Sequence, residues 1–261
     1  MTLDIYQIDS FTNETFCGNP ACVVPLREWL PDDILLKIAK ENAVPETAFF
    51  IIENRNVKLR WFTPDIEMDL CGHATLAAAH VLFSILNYPN KKIEFSTISG
   101  ILNVSLENNI YLLDFPSRMP VLAYLPEAIV NSLSIKPIEV LKARDYVLIY
   151  NSQKDIENIV IDRILFDSIN ISPGGVIVTS KGNDSDFVSR FFTPQATILE
   201  DPVTGSAHCS LIPYWSKLLG KQIMTAQQLS QRGGILYCEN KGDRVLIGGT
   251  AKTFLIGQIM I

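Results

Sequence analysis

Two glycines, each followed by a polar side chain and then a long apolar run, are the first places in this sequence where chemistry could sit. They lie in Cys71-Gly72-His73-Ala74-Thr75 and Thr204-Gly205-Ser206-Ala207-His208. Both follow the same lead-in: Arg60-Trp61-Phe62-Thr63-Pro64 returns as Arg190-Phe191-Phe192-Thr193-Pro194, 130 residues on (190 less 60). Between Thr-Pro and glycine each copy carries acids, Asp65, Glu67 and Asp69 in one, Glu200 and Asp201 in the other. Glycine lets backbone approach a ligand closely, and the first turn of a helix offers free N–H groups and the positive end of its dipole. Two such starts suit a carboxylate or a developing oxyanion. The same glycines would equally serve tight packing alone, and spacing does not decide between the two.

Pro45-Glu46-Thr47-Ala48-Phe49-Phe50-Ile51-Ile52 sets a carboxylate at the mouth of an apolar strand. Partial desolvation there suits a general base, although a glutamate beside a strand is more often simply solvated. All three histidines, His73, His80 and His208, fall within the repeated segments. His73 and His80, seven apart on a helix, are separated by about 10 Å along the axis, too far to share an ion. No metal is therefore expected. His80, mid-helix among apolar residues, reads as a core histidine, as does His208, whereas His73 at the helix start is placed to meet a ligand. The sequence holds no G-x-G-x-x-G after a strand, no phosphate loop and no G-x-S-x-G turn, so the chemistry is assigned to side chains without a cofactor.

The elements that must position these residues can be read from period and punctuation. Strands are expected at Leu3 to Ile8, Cys22 to Val24, Lys58 to Phe62, Lys92 to Ser96, and Ile101 to Leu106 with Ile110 to Asp114 as a hairpin over Asn108-Asn109. Gly18-Asn19-Pro20 reads as a turn, and Asp32 to Lys40 as an amphipathic helix after Pro31. An apolar helix runs from Gly72 to about Leu86, buried inside its half. Pro116 and Pro120 mark a crossover. A helix near Pro126 to Ser132 follows, then strands at Val147 to Tyr150, Gly175 to Thr179 and Phe187 to Phe192. A second buried helix spans about Ser206 to Leu219, with Pro213 inside it and Gly220 as its stop. Strands at Ile235 to Cys238, Val245 to Ile247 and Thr253 to Ile256 complete the set. The stretch Asp155 to Ile171 carries no clear signal.

In a chain of 261 residues, a repeat at half-length favours two similar halves. Lys and Arg number 22 against 28 Asp and Glu, for a net charge of −6, and no basic run is present; nucleic-acid binding is excluded and a small-molecule partner expected. Five widely spaced cysteines and an opening stretch, Met1 to Asp9, without a basic-then-apolar segment suggest a reduced, cytoplasmic protein. The longest nearly apolar stretch, Ala74 to Leu86, falls short of the ~20 residues that span a bilayer.

Taken together the motifs resemble the PhzF family, the phenazine-biosynthesis-type isomerases of the diaminopimelate epimerase fold. The matching pieces are Asp9 to Thr12 with Gly18-Asn19-Pro20-Ala21, Pro45 to Phe49, Thr63-Pro64 with Cys71 to Leu76, and Glu200 to Cys209, in order along the whole chain. The resemblance implies an α+β fold of two pseudo-symmetric halves, 1–116 and 117–261, each a mixed sheet wrapped round a central helix. The last strand is left free to join the first half. It implies a homodimer with a cofactor-free active site between the halves. Glu46 takes the family's acid/base position, His73, Asp201 and Ser206 its other cleft positions, and amides near Gly72 and Gly205, with Gly18 and Asn19, its substrate-holding positions. In the type member the glutamate moves a proton between carbons of a dihydro-hydroxyanthranilate ring. Epimerases and racemases of this fold instead use a cysteine before each helix-opening glycine; Cys71 fills one place but Thr204 the other, so Cys71 reads as a small packing residue. The expected function is a cofactor-independent isomerase of a small carboxylate-bearing metabolite. A racemase using Cys71 and a non-catalytic metabolite-binding protein are the rivals.

Overall fold

Short apolar runs broken by glycine, proline and asparagine make strands throughout the chain in the computed structural model, which describes residues 1–53, 56–171 and 174–261. The fold is α+β. Two compact units arise, Met1–Phe115 with Ile247–Ile261, and Pro116–Leu246. Among the described residues no helix is long and apolar enough to cross a membrane.

The first unit runs β1 (Thr2–Ser10), β2 (Asn19–Leu26), α1 (Asp32–Asn42), β3 (Glu46–Glu53), β4 (Asn56–Phe62), β5 (Glu67–Met68), α2 (Gly72–His80), β6 (Lys92–Thr97), β7 (Gly100–Glu107) and β8 (Ile110–Pro116). The second runs β9 (Val121–Leu122), α3 (Glu127–Ser132), β10 (Glu139–Lys142), β11 (Tyr146–Ile149), α4 (Gln153–Asn158), α5 (Arg163–Phe166), β12 (Val176–Lys181), β13 (Phe187–Phe192), β14 (Glu200–Asp201), α6 (His208–Leu219), β15 (Ile223–Gln228) and β16 (Gly234–Asn240). After β17 (Arg244–Gly249) the chain returns to the first unit, where β18 (Ala251–Met260) lies antiparallel to β1 along its whole length.

Pairing follows one plan in both units. β1 and β2 are antiparallel, β2 and β3 parallel across α1, β3 and β4 antiparallel, β4 and β6 parallel across α2, and β6 and β7 antiparallel. In the second unit β10 and β11 are antiparallel, β11 and β12 parallel across α4 and α5, β12 and β13 antiparallel, β13 and β15 parallel across α6, and β15 and β16 antiparallel. The repeated lead-in is repeated chemistry as well. Arg60 forks onto Glu67, Nε to Oε1 and Nη2 to Oε2, both at 2.7 Å. Arg190 forks onto Glu200 in the same way at 2.7 and 2.9 Å. Each guanidinium also lies over the phenylalanine two residues on, 5.1 Å from the Phe62 ring centre and 5.0 Å from that of Phe192. Such two-point pairs fix direction as well as distance, so each acidic strand is held at a set angle before its helix.

The central strands β2, β3, β11, β12 and β13 bury both faces, while outer strands such as β6, β8, β16 and β18 bury at most one. In the first unit Cys22, Val24, Phe49, Ile51 and Phe62 pack on Leu35, Ile38 and Ala39 of α1. That helix starts with Asp32 and Asp33 at its positive end and closes on Ala43 in the left-handed region, φ 53°. All nine residues of α2 are buried, as a helix with no polar face must be. The corresponding outer core of the second unit joins Ile129, Ile156 and Phe166 to Leu148, Val178, Val188 and Phe192.

The structure departs from the sequence expectations at the ends of both buried helices. The rod from Gly72 is α only to His80; Val81–Ile85 is π-wound, with Leu86 N–H reaching back five residues to Val81 O at 2.9 Å. The second helix opens with a 3₁₀ turn, Gly205–Ala207, before α6, whereas its stop at Gly220, φ 65°, is where the sequence places it. Asn108 and Asn109 do form the hairpin turn, with φ of 48° and 66°, the pattern whose twist matches that of the strands. Gly18 is obligatory: its φ is +66°, and a Cβ there would lie 2.2 Å from the Ser10 carbonyl oxygen.

Candidate active site

In the first unit β1, β2, β3 and the start of α2 bring the sequence candidates together. Ser10 is opposite Asn19 in the β1–β2 ladder, and Ala21 is beside Glu46 in the parallel β2–β3 ladder. Ser10 Oγ, fully buried, donates to the carbonyl of His73 at 2.8 Å, pinning the first turn of α2 to β1. Gly72 is the first residue of that turn; Cys71, at its cap position, has extended backbone and makes no capping bond with its side chain. Instead Cys71 Sγ lies 3.6 Å from His73 Nδ1. On the opposite side of the ring, His73 Nε2 is 3.0 Å from Glu46 Oε2, with side chains 3% and 14% exposed.

That last contact is an ion-pair approach but not an aligned hydrogen bond, and both Oε2 and Nε2 are buried without a hydrogen-bond partner among the described residues. Leaving a buried polar atom unsatisfied costs about 1–3 kcal/mol, so such atoms mark strain or a place for a ligand group. Burial alone would drive His73 toward its neutral form; the hydrogen bond to the Cys71 sulfur and the charge and close approach of the Glu46 carboxylate oppose it and hold the imidazolium well above the usual histidine range. Cys71 is pushed up to about 11 by burial and by Glu46, against the pull of His73, and is a thiol at neutral pH.

Cys71, His73 and Glu46 offer one sulfur, one nitrogen and one oxygen within 4.8 Å of one another, a grouping that sequence spacing did not reveal because Glu46 comes from β3 and the other two from the start of α2. The sulfur faces Nδ1 and the carboxylate faces Nε2. These nitrogens project from different edges of the ring, so a single ion would collect all three donors only if the ring turned. The arrangement is better described as a chain of exchangeable groups, thiol to imidazole to carboxylate.

In the second unit Asp201, on β14, accepts from Thr204 Oγ1 at 2.5 Å through Oδ2 and from Gln228 Nε2 at 2.8 Å through its carbonyl. Gln228, 1% exposed at the end of β15, also accepts from Thr204 N–H at 2.8 Å. One amide thus ties the acidic strand to the residue before Gly205. Ser206 Oγ accepts from Arg144 Nη2 at 3.0 Å. Arg144 in turn grips Asp145, its Nε 3.2 Å from both carboxylate oxygens and Nη2 3.0 Å from Oδ2. The buried Asp145 is fixed by Gly175 N–H at 2.9 Å. Sequence reasoning missed Arg144, Asp145 and Gln228. The adjacent opposite charges just before an apolar strand were the available signal for the first two; nothing local distinguished Gln228.

The remaining histidines are interior groups. His80 is bonded at both ring nitrogens, to Tyr111 Oη and Thr253 Oγ1, each at 2.8 Å, and burial pushes it down to about 4. His208 Nδ1 donates to the Thr204 carbonyl at 2.9 Å; burial outweighs that bond and it too falls to about 4. Both folded values lie below the ~6.5 of an unfolded histidine. The stability from keeping these rings neutral is therefore complete above about pH 6.5 and lost as pH falls toward 4. Urea unfolding between pH 7 and 4 should show a slope approaching about 2.7 kcal/mol per pH unit from two protons taken up on unfolding. Either His→Gln variant should remove one proton from that slope; an unchanged slope in both would contradict the assignment. His73 acts with opposite sign: its contribution is complete below about pH 6.5 and lost as pH rises through its elevated folded value.

Comparison with known proteins agrees over the full length. The model of the phenazine biosynthesis-like protein family, PhzC-PhzF, matches residues 8–257. An uncharacterized isomerase of Pseudomonas aeruginosa is 44% identical, with 100% of each chain covered. A phenazine biosynthesis-like domain-containing protein of Bos taurus is 36% identical over 99% of both chains. The crystal structure of a PhzF-family protein from Enterococcus faecalis superposes with a TM-score of 0.94 at 42% identity, covering 100% of both chains. At 9% identity and a TM-score of 0.62, a hydroxyproline epimerase from Agrobacterium vitis shares the fold, over 99% of this chain and 92% of its own. The Arg–Glu forks, the glycine-opened helices and the Glu46–His73 contact are thus features of a chain that belongs to the PhzC-PhzF family of phenazine biosynthesis-like proteins.

Proposed function

We propose that this protein is an isomerase that moves a proton between carbons of a small carboxylate-bearing metabolite, with Glu46 as the general acid/base and no cofactor. The observation that carries the reading is the buried Glu46–His73 contact of 3.0 Å with neither facing atom satisfied by an aligned hydrogen bond. A carboxylate so placed can take a proton from carbon and return it elsewhere, while the imidazolium stabilises negative charge that develops nearby. Relatives named as isomerases support the reaction class. We assign Asp201 to polarising the substrate, and Ser206, the Gly72 and Gly205 amides, Gly18 and Asn19 to holding it. The Arg144 bond to Ser206 supports that assignment: it takes one lone pair of the hydroxyl and leaves its proton able to donate beside a guanidinium, which favours an anionic oxygen.

The racemase reading requires Cys71 to be the base. A thiol pushed to about 11 is a poor one at neutral pH, and Thr204, in the corresponding place, donates its hydroxyl to Asp201. The test is a metabolite panel rich in small carboxylates, incubated with the protein in deuterated water and read by mass spectrometry. Deuterium gained at carbon without added cofactor is expected for at least one compound. Binding without exchange across the panel would replace the isomerase with a metabolite-binding protein.

A further inference from the structure

We propose that Cys71 is a positioning residue for His73, its sulfur acting as the partner of Nδ1 in both charge states of the ring so that Nε2–H stays directed at Glu46. The inference rests on the reading of Glu46 and His73 as the proton-transfer pair, and replaces the view of Cys71 as packing alone. A buried ring that changes charge beside a carboxylate faces a difficulty. The imidazolium has two N–H donors, the neutral ring one donor and one acceptor, and a fixed partner suits only one of these states. A thiol suits both: S–H donates to a neutral Nδ1, and sulfur accepts from Nδ1–H of the imidazolium. In either state the proton on Nε2 faces the carboxylate.

Among the described residues, other groups do not take this place. Ser10 is spent on the His73 carbonyl and Thr75 Oγ1 on the Cys71 carbonyl. The titratable groups acting on the ring are Cys71, from the start of the same helix, and Glu46, from β3. Because Cys71 is itself a thiol at neutral pH, it serves Nδ1 without competing with Glu46 for the substrate proton.

The test reads His73 directly. Imidazole ¹⁵N spectra of ring-labelled protein are followed from pH 5 to 10 in the parent, Cys71→Ser and Cys71→Ala. His80 and His208, pushed down to about 4, do not titrate in this window, so the moving signal is His73. Cys71→Ser, which can also donate and accept, should keep the titration midpoint within about half a unit and keep the proton on Nε2. Cys71→Ala strands Nδ1–H of the imidazolium, and proton affinity should fall about tenfold or more, a midpoint lower by about one unit. Cys71→Val, which fills the volume without donor or acceptor, takes its place if the alanine variant does not fold. An alanine or valine variant titrating with the parent, or a parent ring protonated on Nδ1 alone when neutral, overturns the proposal. No turnover enters these spectra, so failure of the Cys71–His73 arrangement is read from the ring and failure of the isomerase reading from deuterium exchange, each distinguishable from the other.

Discussion

Replacing Glu46 with glutamine is expected to lower solvent-deuterium exchange into a responding substrate by at least the ~10²-fold typical of general acid–base catalysis, while ligand binding survives. Glutamine keeps the volume at the mouth of β3 and loses both the negative charge beside His73 and the ability to carry a proton. Cys71→Ser, in the same assay, should retain most activity. The racemase reading reverses that order, since the thiolate would be the base; Cys71→Ser would then abolish exchange and alkylation would inactivate the enzyme. Full activity in Glu46→Gln with loss in Cys71→Ser would remove Glu46 from the mechanism. Circular dichroism and urea midpoints of both variants separate a lost proton carrier from a lost fold.

Asp145→Ala should be strongly damaging to the second unit. Asp145 is 1% exposed, and its carboxylate holds both Arg144 and the Gly175 N–H. Its removal leaves a guanidinium only 15% exposed without its counter-charge, which costs about 3–5 kcal/mol when one partner of a buried pair is deleted. Against a total stability of about 5–15 kcal/mol, that is a large fraction. Arg144 also carries the bond to Ser206, so the variant should bind carboxylate ligands weakly even where it folds. Asp145→Asn, which keeps an acceptor for Gly175, should lose less. A urea-unfolding free energy for Asp145→Ala within about 1 kcal/mol of the parent would show the pair to be dispensable.

What the sequence made legible was whatever local chemistry enforces. The strand Phe187–Phe192, the hairpin at Asn108-Asn109 and the stop at Gly220 each follow from side chains that leave the backbone few choices. Strand β15 and the short strand β10 were not anticipated, because half-polar runs such as Ile223–Gln228 become strands through their ladder partners rather than through their own pattern. Helices α4 and α5 fell in the stretch left unassigned. The capping box joining Ser152 to Asp155 and the cap supplied by Asp162 were readable signals, but each opens a helix too short to show a period. The π-wound turn left no trace, since Val81–Ile85 has the composition of any buried helix. For the candidate site, types and order were visible in Glu46, His73, Asp201 and Ser206. Contacts were not: the Cys71 sulfur against Nδ1 and the Arg144 bond to Ser206 depend on ladders that join residues distant in sequence.

The pairing of β18 with β1 bears on how the chain is made. Thr2 is matched to Met260 and Ser10 to Ala251, so the sheet that carries Glu46 gains its last strand only when some 250 intervening residues have been synthesised. The second unit, continuous from Pro116 to Leu246, has no such wait and can complete itself first on the ribosome. Until then one side of β1 presents unpaired backbone groups, the kind of edge that recruits other strands. The buried Glu46–His73 pair is therefore built on the part of the molecule that closes last, and the nascent chain is most exposed to mispairing and to chaperone capture in the interval before β18 emerges.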